Sequence, residues 1–234
     1  MLIGGLLKFT LIDYPGKIAA VIFTQGCNYR CPFCHNPELV MPELFHSSLD
    51  EDAVFSFLQK RRGQLQGIVV TGGEPTLQPD LPAFLGKIKA LGYLVKLDTN
   101  GSRPDVVRAL VAAQLVDYWA MDIKSSPESY ARAAGVEVDS GSCISLRVLE
   151  MSVAAIKASG VDHEFRTTAI KGFVSPKDIT AIRRFLGPGS HYYVRRGSLK
   201  TKLIDAALAD RPAYTDEEWG QILRMAEEGQ SEIS

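Results

Sequence analysis

Six times along its 234 residues the chain passes from a short apolar run rich in β-branched residues to a longer amphipathic run, with turn residues between them. Alternation with a period of two marks strands, and apolar residues three and four apart mark helices. The pattern predicts strands over 18–23, 67–71, 93–97, 117–123, 163–168 and 192–195, and helices over 50–62, 80–91, 104–113, 146–159 and 176–185. A last amphipathic run, 215–227, opens on a Thr-Asp-Glu-Glu capping signal and is expected to form a C-terminal helix. Asp50 and Asp80 are expected N-caps, and Gly63, Gly92 and Gly160 expected stops. Ser175-Pro176 supplies a cap followed by proline at the first helical position. Parallel neighbours need long crossovers, so this repetition specifies an α/β fold with a parallel sheet. A closed eight-stranded barrel takes about 250 residues. Six strands in this length predict a partial barrel, open on one side. Residues 125–145 read as a long loop.

Composition narrows the function. The chain is 46% hydrophobic and 23% charged, enough to build a core without disulfides. Its net charge of −1 gives no global handle for nucleic acid or an anionic membrane. Three basic clusters, Lys60-Arg61-Arg62, Arg183-Arg184, and Arg195-Arg196 with Lys200 and Lys202, read as solvated faces. No run reaches the ~18 apolar residues of a membrane span. The N-terminus has neither a basic n-region nor a small-residue cleavage site. The expectation is a cytoplasmic protein with no nucleic-acid or membrane partner.

In parallel α/β folds the site lies at the carboxyl ends of the strands. Polar and glycine residues gather at those ends: 24–35, Gly72-Gly73-Glu74-Pro75, Asp98-Thr99-Asn100-Gly101, Asp122 with Lys124, Arg166 with Thr168, and Arg195-Arg196. Directly after the first predicted strand, Cys27, Cys31 and Cys34 stand in C-x3-C-x2-C spacing, while the fourth cysteine, Cys143, lies far away. Soft thiolates favour zinc or an iron–sulfur cluster. Structural zinc wants four ligands, and the fourth would have to be His35 or Cys143. A cube held by three thiolates keeps one open iron where a small molecule can bind. Redox-active thiols are a third reading. The Gly-Gly and Glu-Pro pairs suit a tight turn or a close backbone approach to a ligand, with Glu74 able to accept hydrogen bonds from an ammonium group. Asp122 and Lys124 share one strand face, as do Glu164, Arg166 and Thr168. A buried arginine needs an anion, so Arg166 pairs with Glu164 or Asp122, or else clamps a ligand carboxylate.

The cysteine loop, with Phe33 just before its third cysteine, resembles the signature of radical S-adenosylmethionine (SAM) enzymes. The wider string Ile12-Asp13-Tyr14-Pro15-Gly16, Gln25-Gly26-Cys27-Asn28 and Cys34-His35-Asn36-Pro37 resembles the glycyl-radical-enzyme activating branch. Within it the chain is most similar to the activating proteins of anaerobic ribonucleoside-triphosphate reductase, and also to those of pyruvate formate-lyase. The resemblance covers roughly residues 5–195. It implies a partial (β/α)6 TIM-like barrel in a single radical SAM domain over 1–234, and a [4Fe-4S] cluster on Cys27, Cys31 and Cys34 with Cys143 dispensable. It implies SAM bound by Phe33, His35, Gly72, Gly73, Glu74, Pro75, Asp98, Thr99, Asn100, Asp122, Lys124 and Arg166, with Lys124 near the SAM carboxylate and the glycine motif at its amino group. A monovalent cation is implied at Asp98, Thr99, Met121 and Asp122. The activity implied is reductive cleavage of SAM and abstraction of hydrogen from a glycine of a partner glycyl radical enzyme, fed by a one-electron donor such as flavodoxin or ferredoxin. No side chain need act as a general base. The alternatives are a radical SAM enzyme acting on a small molecule, such as a deazaguanine synthase, and a zinc-binding interaction module. The sixth predicted strand departs from the family: Arg195 and Arg196 stand where polar, glutamine-rich residues are common.

Overall fold

The computed structural model describes residues 1–136 and 146–227. Among them, seven strands form one sheet in chain order: β1 (Ile3–Thr10), β2 (Ala19–Thr24), β3 (Gly67–Gly72), β4 (Leu94–Thr99), β5 (Tyr118–Asp122), β6 (Asp162–Ala169) and β7 (Tyr192–Arg196). Strands β2 to β7 are parallel and coincide with the six predicted strands to within two residues at each end. The sheet does not close on itself; β1 and β7 are its edges. The open, partial α/β barrel expected from the strand count is the fold observed.

The seventh strand corrects the count. β1 runs antiparallel to β2, with register shifts on either side of its Gly5–Leu7 stretch. Its sequence, IGGLLKFT, does not alternate, because only Ile3 and Thr10 are buried. It is held by the backbone ladder rather than by one apolar face, so periodicity did not mark it.

The crossover helices are α1 (Pro37–Val40), α2 (Glu51–Lys60), α3 (Leu81–Ala90), α4 (Pro104–Ala112), α5 (Tyr130–Ala134), α6 (Leu146–Ala158) and α7 (Pro176–Leu186), followed by α8 (Asp216–Glu227). Asp50 caps α2 by accepting from the Asp52 N–H. Ser175 and Asp178 form a reciprocal capping box on α7, and Thr215 and Glu218 do the same for α8. Asp80 does not cap α3. Its backbone sits at φ −95°, ψ 6°, outside the extended region from which a capping side chain reaches the first turn, and its carboxylate faces the Met1 amino group instead. The segment read as one long loop contains a 3₁₀ turn, Pro127–Ser129, and α5. Residues 137–145, with Cys143, lie outside the described residues. No described helix is long and apolar enough to cross a membrane.

Two apolar clusters result. The larger lies between sheet and helices and includes Ile22, Ile68, Leu97, Trp119 and Phe165. The smaller lies inside the barrel at the amino ends of the strands: Tyr14, Ala19, Val21 and Val69, with Phe23, Leu94 and Tyr118 against them. Tyr14 is 3% exposed, and its ring rests on Gly67, where a Cβ would come within 2.8 Å of it. The Ile12–Gly16 string that helped mark the family therefore contributes a plug at the floor of the barrel. Truncating a buried aromatic ring leaves a cavity. Tyr14→Ala is expected to lower stability by about 3–5 kcal/mol in urea unfolding.

Candidate active site

Above the apolar floor the barrel interior becomes ionic. Alternation along β4 points Lys96 and Asp98 inward, and β5 and β6 contribute Asp122, Glu164 and Arg166. Lys96 is 2% exposed, and its Nζ lies 2.7 Å from Asp98 Oδ1 and 3.9 Å from Glu164 Oε1. Arg166 reaches three carboxylates: Asp122 at 2.9 Å, Asp98 at 3.3 Å and Glu164 at 3.4 Å. Lys124 Nζ lies 3.0 Å from Asp122 Oδ2. Burial alone would raise the Asp122 pKa, but Arg166 and Lys124 outweigh it and hold the carboxyl well below its usual range. Burial would likewise lower the Lys124 pKa, yet the Asp122 carboxylate reverses the effect and keeps it a firm cation.

The cysteine loop forms the wall facing this column. It leaves β2 through Gly26, whose φ of 96° lies in the region that favours glycine. The Cys34 N–H donates to the Cys31 carbonyl, and the Arg30 N–H to the carbonyl of Ala134 in α5. The Arg30 guanidinium folds back to donate to the carbonyls of Cys27 and Tyr29. The Tyr29 N–H points at Cys27 Sγ, 3.4 Å away. Burial pushes the Cys27 thiol up to about 11 and the Cys31 thiol up to about 12, and it raises Cys34 as well, against the pull of Lys124.

The tips of β3 and β4 complete the wall. A Cβ on Gly73 would lie 2.1 Å from the Gly26 carbonyl oxygen, and one on Gly72, at φ 118°, 2.3 Å from the Thr24 nitrogen. The close approach expected of these glycines is thus made first to β2 and the cysteine loop. Glu74 is 1% exposed and braces the two tips. Its Oε1 accepts from the Thr76 N–H and the Thr99 hydroxyl, and its Oε2 from the Asn100 N–H at 2.6 Å. Burial raises its pKa, and these hydrogen bonds oppose the rise.

One cavity gathers Cys27, Cys31, Phe33, Cys34, His35, Gly72, Gly73, Glu74, Asp98, Thr99, Asn100, Asp122, Lys124 and Arg166. Of the predicted site residues, two do not line it: Pro75, buried at the start of the 3₁₀ turn Pro75–Leu77, and Met121, buried in the core. Sequence reasoning missed Lys96, whose signal was its place two residues before Asp98 on an inward-facing strand.

A sequence-family model for the radical SAM superfamily matches residues 21–172, the stretch that carries this cavity. The chain belongs to the radical SAM superfamily.

Its relatives divide by activity. A Methanocaldococcus jannaschii protein provisionally named a glycyl-radical enzyme activating enzyme is 34% identical over 187 residues, 78% of this chain and 74% of that protein. The pyruvate formate-lyase-activating enzyme of Listeria monocytogenes is 32% identical over 131 residues, 52% of each chain. The 7-carboxy-7-deazaguanine synthase of Halobacterium salinarum is 34% identical over 98 residues, 40% of this chain and 37% of that one. Streptococcus suis SuiB, in a structure bound to S-adenosylmethionine, shares the fold at 16% identity with a TM-score of 0.63 over 91% of this chain and 47% of its own. The chain is a radical SAM oxidoreductase, and its family implies a [4Fe-4S] cluster and SAM.

The residues fit both groups. Three soft thiols open into one cavity, and among the described residues no three His, Cys, Asp or Glu side chains converge as on a single ion. His35, the nearby candidate for a fourth zinc ligand, is exposed with Nε2 2.8 Å from the Ser198 carbonyl oxygen. Among the described residues Lys124 makes one ion pair and faces the thiols, which leaves it protons for a ligand anion. Arg166 makes the protein pairing, with its guanidinium engaged by Asp122, Asp98 and Glu164.

Two outcomes follow. Gly73→Ala drives a methyl into the Gly26 carbonyl of the cysteine loop, so it is expected to cost about 1–3 kcal/mol and to lower bound iron and SAM together after anaerobic reconstitution. The raised thiols should stay protonated near neutrality. In metal-free protein at pH 8, iodoacetamide should modify Cys27 roughly a hundredfold and Cys31 roughly a thousandfold more slowly than an ordinary thiol, with rates climbing towards pH 11–12.

Proposed function

We propose that the protein is an activase: a single radical SAM domain that abstracts a hydrogen atom from a glycine of a partner glycyl radical enzyme, with an anaerobic ribonucleotide reductase as the first candidate. One observation carries the reading. The C-x3-C-x2-C thiols open into the same cavity as Lys124 and the β3, β4 and β5 tips, in a chain that matches a provisionally named activating enzyme over three quarters of that protein's length. When bound, the cluster and SAM supply one-electron cleavage of the sulfonium and the means to take a hydrogen atom.

The chain's own residues hold and orient. Cys27, Cys31 and Cys34 would ligate the cluster, with the Tyr29 N–H supporting Cys27 Sγ. Lys124 would meet the carboxylate of SAM. Asn100 and the backbone of Gly72 and Gly73 would face its amino acid and ribose portions, and Phe33 and His35 its adenine. Glu74, with both oxygens engaged, keeps the β3 and β4 tips in place. Hydrogen transfer needs reacting atoms within about 3–3.5 Å, so a protein substrate must reach deep into the barrel. The unclosed sheet supports that route. A reduced flavodoxin or ferredoxin is the proposed electron donor.

A second reading is a radical SAM enzyme acting on a small molecule; it is favoured by the match to a deazaguanine synthase over 98 residues. Isotope transfer separates the two. With reductant and SAM under anaerobic conditions, a ribonucleotide reductase carrying deuterium at its radical glycine should pass deuterium into 5′-deoxyadenosine and gain a glycyl radical signal. Label arriving instead from a small metabolite would replace the activase with the second reading.

A further inference from the structure

The side chains at the positions where a monovalent cation is expected do not converge on an open set of oxygens. Thr99 and Met121 alternate out of step with Asp98 and Asp122, so their side chains leave the opposite face of the sheet. The Thr99 hydroxyl donates to Glu74 and accepts from the Gly101 N–H. The Met121 side chain is fully buried in the outer core against Gly101. Of the four side chains only the two carboxylates face the barrel interior, and each of their four oxygens already faces a fixed cation. Lys96 Nζ lies 2.7 Å from Asp98 Oδ1, and Arg166 Nη2 3.3 Å from Asp98 Oδ2. Arg166 Nε lies 2.9 Å from Asp122 Oδ1, and Lys124 Nζ 3.0 Å from Asp122 Oδ2.

We infer that this chain has a built-in cation in place of a bound one: Arg166 is the positioning residue whose guanidinium bridges Asp98 and Asp122, making the SAM site indifferent to sodium and potassium. Strand register sets the arrangement. Asp122 pairs with Arg166 across β5 and β6, and Asp98 is one strand further on. Two inward carboxylates on neighbouring strands repel unless a positive charge lies between them. A guanidinium is always charged, and its planar fork reaches both carboxylates at once. An added sodium ion would sit against three positive side chains.

Direct ion binding tests this without invoking SAM. In equilibrium dialysis against rubidium or thallous ion in tetramethylammonium chloride, the wild-type protein should bind no ion stoichiometrically. Arg166→Gln leaves the carboxylate pair without its bridge and should bind one ion per chain; Arg166→Lys, which keeps a charge, should bind none. One ion bound per wild-type chain overturns the inference, as does an Arg166→Gln protein that folds and binds none. If Arg166→Gln does not fold, the wild-type and Arg166→Lys dialyses decide. The SAM arm rests on the function proposed above. At fixed ionic strength, SAM affinity of the reconstituted protein should agree within about twofold in sodium, potassium and tetramethylammonium salts, far below the 5–150-fold range typical of coupled sites. A dependence inside that range overturns the inference. Failure of SAM to bind in every salt would overturn the cofactor assignment instead, and the dialysis would still decide the question of the ion.

Discussion

Charges buried in a barrel must neutralise one another, and the rest of this site depends on how that is done. Isolated ions do not survive desolvation, and removing one member of a buried pair costs about 3–5 kcal/mol. Here Lys96, Arg166 and Lys124 meet Asp98, Asp122 and Glu164 within a few ångströms. The contacts join β4, β5 and β6 side by side, so the same pairing that settles the charge also fixes the strand tips. One result is chemical. Lys124, tied to Asp122 through a single contact, stays protonated beside three neutral thiols and gives the cavity a positive edge.

Strands β2 to β5 were legible because each is buried on both faces and reads as an apolar run between turn residues, while β6 and β7, which are more exposed, were legible from the helical runs and turns that flank them. β1 was not, since it is an edge strand with a glycine pair and exposed Leu7 and Phe9. Helix starts were legible where the cap is a local hydrogen bond, as at Asp50 and Ser175. Asp80 has the right side chain in the wrong backbone conformation, which depends on the chain around it. The short helix α5 was hidden in a segment with too few apolar residues to show a period.

The membership of the site was legible for a related reason. Residues at the carboxyl ends of parallel strands converge whatever their spacing in the chain, so motifs at those ends could be assembled before any contact was known. Their partners could not. That Arg166 would engage three carboxylates follows from the register of β4, β5 and β6, which no single segment encodes. Lys96 lies on a strand that otherwise reads as apolar, and its burial makes sense only once Asp98 and Glu164 face it. Gly72 and Gly73 looked like a ligand cradle, and they also form the joint between β3 and the cysteine loop.

The cysteine loop is also gripped from the far end of the sequence. His35 Nε2 meets the carbonyl of Ser198, 163 residues later, and the Asp205 N–H donates to the carbonyl of Pro32. At roughly 5–20 residues per second of synthesis, the loop emerges some ten to thirty seconds before the segment that clasps it. Through that interval the three thiols have their own strand but not their final cover. A cluster bound before synthesis passes residue 205 would therefore be held by the thiols without these two contacts.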